Sequence, residues 1–219
     1  MYSTLQSLAT RAVQLADQPG QRVLIGISGE PGAGKSTLAE HLVVALAEQG
    51  VSAIRVPMDG FHLADIELKR LRRLHRKGAI DTFDGFGYLA LLRRLRAELG
   101  NVVYAPGFAR QIEQPIAGAI AIGSAVRVVV TEGNYLLAPV VPWPTVRAVL
   151  DETWHCALDS AERQRRLVVR HVASGKTPAE AEAWVHDVDQ VNANLVAQWQ
   201  DQADLQLDMN RLDLAPRTD

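Results

Sequence analysis

A chain of 219 residues with a formal charge of −2, 22% charged and 47% hydrophobic, has the balance of an ordinary globular protein. It lacks the global basicity that draws nucleic acid, and no apolar run reaches the roughly 20 residues of a membrane span. Cys156 is the single cysteine, which excludes an internal disulfide and a thiolate metal cluster and fits a reducing, cytoplasmic setting.

Residues 1–22 repeat apolar side chains at helical spacing, without the basic start and continuous apolar stretch of a signal peptide, and read as an ordinary first helix. Residues 22–28 (RVLIGIS) read as a buried strand, and residues 38–49 as a helix. Between them stands Gly29-Glu30-Pro31-Gly32-Ala33-Gly34-Lys35-Ser36-Thr37, a full G-x-x-x-x-G-K-[ST] match in the strand-to-helix setting that a phosphate-binding loop requires. Glycines let backbone N–H groups turn inward around phosphates, and the helix N-terminus adds its dipole. Lys35 is placed to reach the β- and γ-phosphates, and the Ser36 hydroxyl to hold Mg²⁺.

Residues 52–57 form the second predicted strand, and Asp59 opens the turn Met58-Asp59-Gly60-Phe61-His62 at its carboxyl end. A carboxylate there can orient an acceptor hydroxyl and take its proton, with His62 a weaker candidate for substrate contact. The basic stretch 69–77 turns Leu68, Leu71 and Leu74 inward, which leaves Lys69, Arg70, Arg73 and Lys77 as solvated charges. Residues 102–116, with their Pro and Gly, read as an irregular hairpin or loop that forms a substrate wall and carries Arg110.

The third strand, 126–131, delivers Glu132 from a buried run, a Walker B arrangement with Glu in place of Asp. It serves Mg²⁺ or substrate hydroxyls, and Tyr135 is expected to line the pocket after the Gly133-Asn134 turn. Strands are also expected at 153–158 and 204–209. Between them Arg163, Arg166 and Arg170 share one helix face, suited to clamping a transferring phosphoryl group, and Ser174-Gly175-Lys176 supplies a hinge for a lid. Thr177-Pro178-Ala179-Glu180 is a capping box that starts a helix reaching about residue 200. On it Trp184, Val188, Val191, Leu195 and Trp199 form a core stripe, and Asn192 lies at the stripe's edge toward a cleft.

These segments place five strands of a mainly parallel sheet in alternation with helices, a doubly wound α/β sandwich with active residues at the strands' carboxyl ends. One domain is expected over residues 1–219, with a lid near 160–178 and a loose tail near 210–219.

The segments GEPGAGKST, PMDGFH, RKGAIDTFD (76–84), TEGNYLL (131–137) and RLVVRHVASGK (166–176), followed by DVDQVNANLV, together resemble the superfamily of phosphoribulokinase, uridine kinase and bacterial pantothenate kinase. The likeness runs from about residue 23 to 209 and is nearest the bacterial nucleoside/nucleotide kinase-like, or fructose transport system kinase-like, branch. It implies a P-loop NTPase fold and a cytoplasmic, Mg²⁺-ATP-dependent kinase of a small-molecule acceptor, commonly dimeric. Under the resemblance Asp59 takes the place of the catalytic aspartate, Glu132 of the EG-motif acid, and Arg163, Arg166 and Arg170 of the lid arginines. Asn192 falls where pantothenate kinases place a substrate-contacting asparagine. The chain lacks the extended amino-terminal region of those kinases, and has DGFH where uridine kinases usually show a DD pair, so the acceptor is left among sugars, polyols and nucleoside-like molecules. A P-loop ATPase or nucleotide-gated regulator is the rival class, and no N-K-x-D or L-S-G-G-Q motif supports its GTPase or transporter forms.

Overall fold

The computed structural model describes residues 2–17 and 20–215. Its centre is a five-stranded parallel sheet of β1 (Val23–Gly29), β2 (Ala53–Pro57), β5 (Val128–Glu132), β6 (Glu152–Ala157) and β7 (Leu205–Asp208), in the order β2-β5-β1-β6-β7. β1 lies in the middle and is buried at every residue, which is why its sequence is apolar without alternation.

Side-chain direction along the strands then divides the core in two. Ile25, Ile27, Val128 and Val130 face α1 (Leu5–Ala16) and α2 (Lys35–Glu48), meeting Leu8, Leu38 and Leu42. Leu24 and Val129 face the other way, toward α4 (Gly85–Ala97) and α5 (Trp143–Val149), where Tyr88, Leu92, Trp143 and Val146 close the layer. The result is the expected three-layer α/β sandwich. At the end of the sheet away from the strands' carboxyl termini, Arg22 is 1% exposed. Its guanidinium donates to the carbonyls of Leu95 (2.8 Å), Gly123 (2.9 Å) and Val126 (3.1 Å), so the buried charge is fully engaged.

Three expectations are corrected. The insert is the expected hairpin, of β3 (Val103–Ala109) and β4 (Gln114–Ile122) paired antiparallel with an irregularity between Ala105 and Gly107, but it runs six residues beyond the expected end at 116. The helix begun by the Thr177 capping box is interrupted: α7 (Pro178–Trp184) and α8 (Gln190–Ala197) are joined by a π-helical turn over Val185–Asp189. A π turn consumes one extra residue and rotates everything after it. Val191, expected in the core stripe, is therefore 61% exposed, whereas Asp189 and Asn192 are turned inward at 7% and 6%. The expected loose tail is held through residue 215: Leu5 N–H donates to the Asp213 carbonyl (2.8 Å) and His41 Nδ1 meets the Leu214 carbonyl (3.1 Å). Residues 216–219 of that tail lie outside the described residues.

Among the described residues no helix is long and apolar enough to cross a membrane.

Candidate active site

The loop after β1 turns back through glycines whose φ angles are +80° at Gly32 and +91° at Gly34, a region side-chain-bearing residues avoid. α2 begins at Lys35, so its free N–H groups point to the space above the loop. Lys35 is 7% exposed and its ammonium donates to the carbonyls of Gly29 (3.0 Å) and Glu30 (2.9 Å). Burial pushes its pKa down, opposed by the charges of Glu132 and Asp59. A phosphate offers that ammonium stronger, charged acceptors than the two carbonyls it now holds.

Asp59 sits in a 3₁₀ turn, Met58–Phe61, directly after β2, with its side chain 28% exposed. Gly60 makes this placement possible, because a Cβ there would lie 2.5 Å from the Pro106 carbonyl oxygen of β3. The hairpin is thereby laid against the turn. Gly60→Ala is expected to cost about 1–3 kcal/mol through this overlap, read as a lower denaturant midpoint. His62 is almost wholly buried between the rings of Phe83 (4.0 Å) and Phe108 (5.0 Å). Its Nδ1 lies 2.9 Å from the Asp59 carbonyl, which can only accept, so Nδ1 carries hydrogen. Burial pushes the His62 pKa down and keeps the ring neutral.

Glu132, 2% exposed, ends β5 beside β1 and β2. Burial raises its pKa, and the charge of Asp59 adds to the rise; Arg55 and Lys35 work against it. Arg55 of β2 donates to Glu132 Oε1 from Nη2 (3.0 Å) and Nε (3.3 Å), and its Nη1 reaches Glu40 of α2 (2.5 Å). Sequence reading missed this arginine, although a cation one strand over from a strand-end acid is the signal that would have found it. Cys156 lies beneath the loop, its thiol pushed up to about 12 by burial, and is inert as a nucleophile.

One cavity of about 710 Å³ gathers Gly32, Lys35, Ser36, Asp59, His62, Arg110, Glu132, Arg170 and Asn192 from the sequence candidates. The remaining candidates stand elsewhere. Gly29, Ala33 and Gly34 form the loop's frame, and Thr37 faces solvent. Arg163 is 4% exposed under the loop, donating to the Pro31 carbonyl (3.3 Å), and so braces the loop from behind. Arg166 on α6 (Ser160–Ala173) is held by Glu162 at 2.7 Å; with Arg165 it pulls the Glu162 carboxyl down to about 2. Tyr135 is fully buried and donates to the Gly78 carbonyl (2.6 Å), packing behind the wall, while its neighbour Asn134 lines the cavity.

Several wall residues depart from what the sequence pattern predicts. Lys77 is no solvated charge: its side chain is 12% exposed, bonded to Asp65 at 2.6 Å, and faces the cavity. Trp184, expected in the core, lines the cavity with the Lys176 ammonium 4.7 Å from its ring centroid. His171 and Asp189 join α6 to the π turn through a 2.7 Å contact. Periodicity alone hid these, because each depends on which element packs opposite.

The chain is 37% identical to a Silicibacter protein described as a "putative fructose transport system kinase", whose crystal structure superposes with a TM-score of 0.83 over 93% of this chain and 98% of that one. It is 35% identical over 187 residues to the Schizosaccharomyces pombe "Putative uridine kinase", covering 83% of this chain and 79% of the relative. It is 30% identical over 195 residues to the Escherichia coli protein YggC, covering 87% and 79%. The family of the methylmalonyl Co-A mutase-associated GTPase MeaB matches residues 4–60, the stretch from α1 through the phosphate loop to the Asp59 turn. With the phosphate loop, the sheet order and these likenesses over most of the chain in agreement, the chain belongs to the phosphoribulokinase and uridine kinase superfamily of P-loop kinases.

Proposed function

We propose that this protein transfers the γ-phosphoryl group of ATP to a hydroxyl of a small metabolite, with Asp59 as the general base. The observation that carries the reading is the continuity of the cavity: Lys35 and Ser36 line it together with Asp59, His62, Asn134 and Asn192. A hydrolytic switch needs the first pair and one group to position water, and has no use for the further row of polar groups. In the transfer, the acceptor oxygen bonds to the γ-phosphorus as the bond to the bridging oxygen of ADP breaks, and ADP leaves with that electron pair. The hydroxyl proton passes to the Asp59 carboxylate. Lys35 and Arg170 balance the negative charge on the phosphoryl oxygens, and Arg163 acts through the loop it braces.

Mg²⁺ fits the donor set. Such ions take few protein ligands, all of them oxygen, and keep several waters. The Ser36 hydroxyl and the Glu132 carboxylate face the same cavity and are the groups that would hold it. When bound, the ion would supply charge neutralisation at the phosphates.

The acceptor is a sugar, a polyol or a nucleoside-like molecule. Coupled ADP release across a metabolite panel tests the reading: acceptor-dependent turnover that Asp59→Ala abolishes is expected. Hydrolysis that no compound stimulates and that Asp59→Ala leaves unchanged would favour a nucleotide-driven switch instead.

A further inference from the structure

The wall of the acceptor half spends its charges on one another. Lys77 is bonded to Asp65 at 2.6 Å and also donates to the Glu113 carbonyl. His171 meets Asp189 at 2.7 Å, and Arg110 Nη2 lies 3.8 Å from Asp59 Oδ2. The Lys176 ammonium stands over the Trp184 ring. A phosphate ester brings −1.5 to −2 charges at neutral pH. To be held by Lys77 or Arg110, it must displace a carboxylate; Lys176 offers it a cation that now stands over an aromatic ring, and Asp59 and Asp189 beside it repel the ester.

Hydroxyl groups meet the opposite situation. Asp59 and Asp189 are acceptors, and the amides of Asn134 and Asn192 can both donate and accept. Asn192 is 6% exposed and lines the cavity, so its amide is available there to the hydroxyl groups of a bound molecule. The π turn presents it there together with Asp189.

We propose that the acceptor is an uncharged polyhydroxylated molecule and that the site discriminates against phosphate esters. This rests on the phosphotransfer reading above and narrows it. The test uses matched pairs with the full chain: ribose and ribose 5-phosphate, fructose and fructose 1-phosphate, glycerol and glycerol 3-phosphate, uridine and uridine monophosphate. Turnover is read by ADP release, and binding by calorimetry beside a non-hydrolysable ATP analogue.

At least one uncharged member is expected to exceed its ester at least 100-fold in kcat/KM and to bind where the ester does not. Asp65→Asn, which frees Lys77, is expected to shrink that ratio at least tenfold; an unchanged ratio counts against the charge-pairing argument. An ester preferred over its parent compound overturns the proposal and leaves the kinase reading standing. Silence of every pair in both assays overturns the proposal, and the kinase reading falls with it only if Asp59→Asn also leaves ATP hydrolysis unchanged.

Discussion

Asp59→Asn is expected to lower kcat by about 10²–10⁴-fold, the range for loss of a positioned proton acceptor. The amide has the shape of the carboxylate and can still orient an acceptor hydroxyl, so KM for ATP and acceptor should move far less than kcat. It cannot take the proton. Two features of the site keep this readout clean. Asp59 is 28% exposed, so its replacement creates no cavity. Its negative charge also raises the pKa of buried Glu132, so removing that charge relieves Glu132 and should leave the fold no less stable. A variant with an unchanged melting temperature and unchanged kcat would sink the general-base assignment. One with both reduced would point to a structural role.

The second large effect concerns Glu132 itself. Arg55→Gln removes the guanidinium that holds a carboxylate only 2% exposed, and breaking a buried pair from one side costs about 3 kcal/mol. For a chain of this size that is roughly 6–12 °C in Tm at neutral pH. The pH dependence carries the signature. Burial has already raised the folded pKa of Glu132 above its unfolded value, so the folded state holds this proton more tightly. Such a group costs nothing below the unfolded pKa, and stability is lost as pH rises through the folded pKa. Without Arg55 the folded pKa rises further, so the deficit of the variant should be greatest at neutral pH and shrink toward pH 5. A deficit that stays constant from pH 5 to 8 would show that Arg55 acts through packing alone.

The donor half of the site was legible because its determinants are local. A phosphate loop needs glycines at fixed offsets, a lysine and a hydroxyl within nine consecutive residues, and the flanking strand and helix declare themselves by apolar pattern. Asp59 and Glu132 were equally legible as acids at strand ends, since parallel strands deliver their carboxyl-end residues to one edge of the sheet. The acceptor half was not. Lys77 reads as solvated in the sequence but packs against Asp65 and the β3–β4 turn, and Trp184 reads as core but carries Lys176, from the turn after α6, over its ring. Arg163, taken with Arg166 and Arg170 as a row of clamps, is turned beneath the loop because the first turn of α6 packs on Pro31 and Gly32.

The sequence by itself determined the α/β sandwich, the five strands, the phosphate loop and the two acids beside it, because each is written in periodicity or in contiguous spacing. Only the tertiary structure decided which face of residues 185–196 looks inward. A single π turn rotates that segment by one residue, and hydrogen-bond register is a property of packing that hydrophobic periodicity does not encode. It also decided how the polar groups of the cavity wall pair, since Lys77 with Asp65, His171 with Asp189 and Arg110 with Asp59 are pairs between residues 12 to 51 positions apart in the chain. Electrostatic pairing depends on distance through space, and only the folded chain sets that distance.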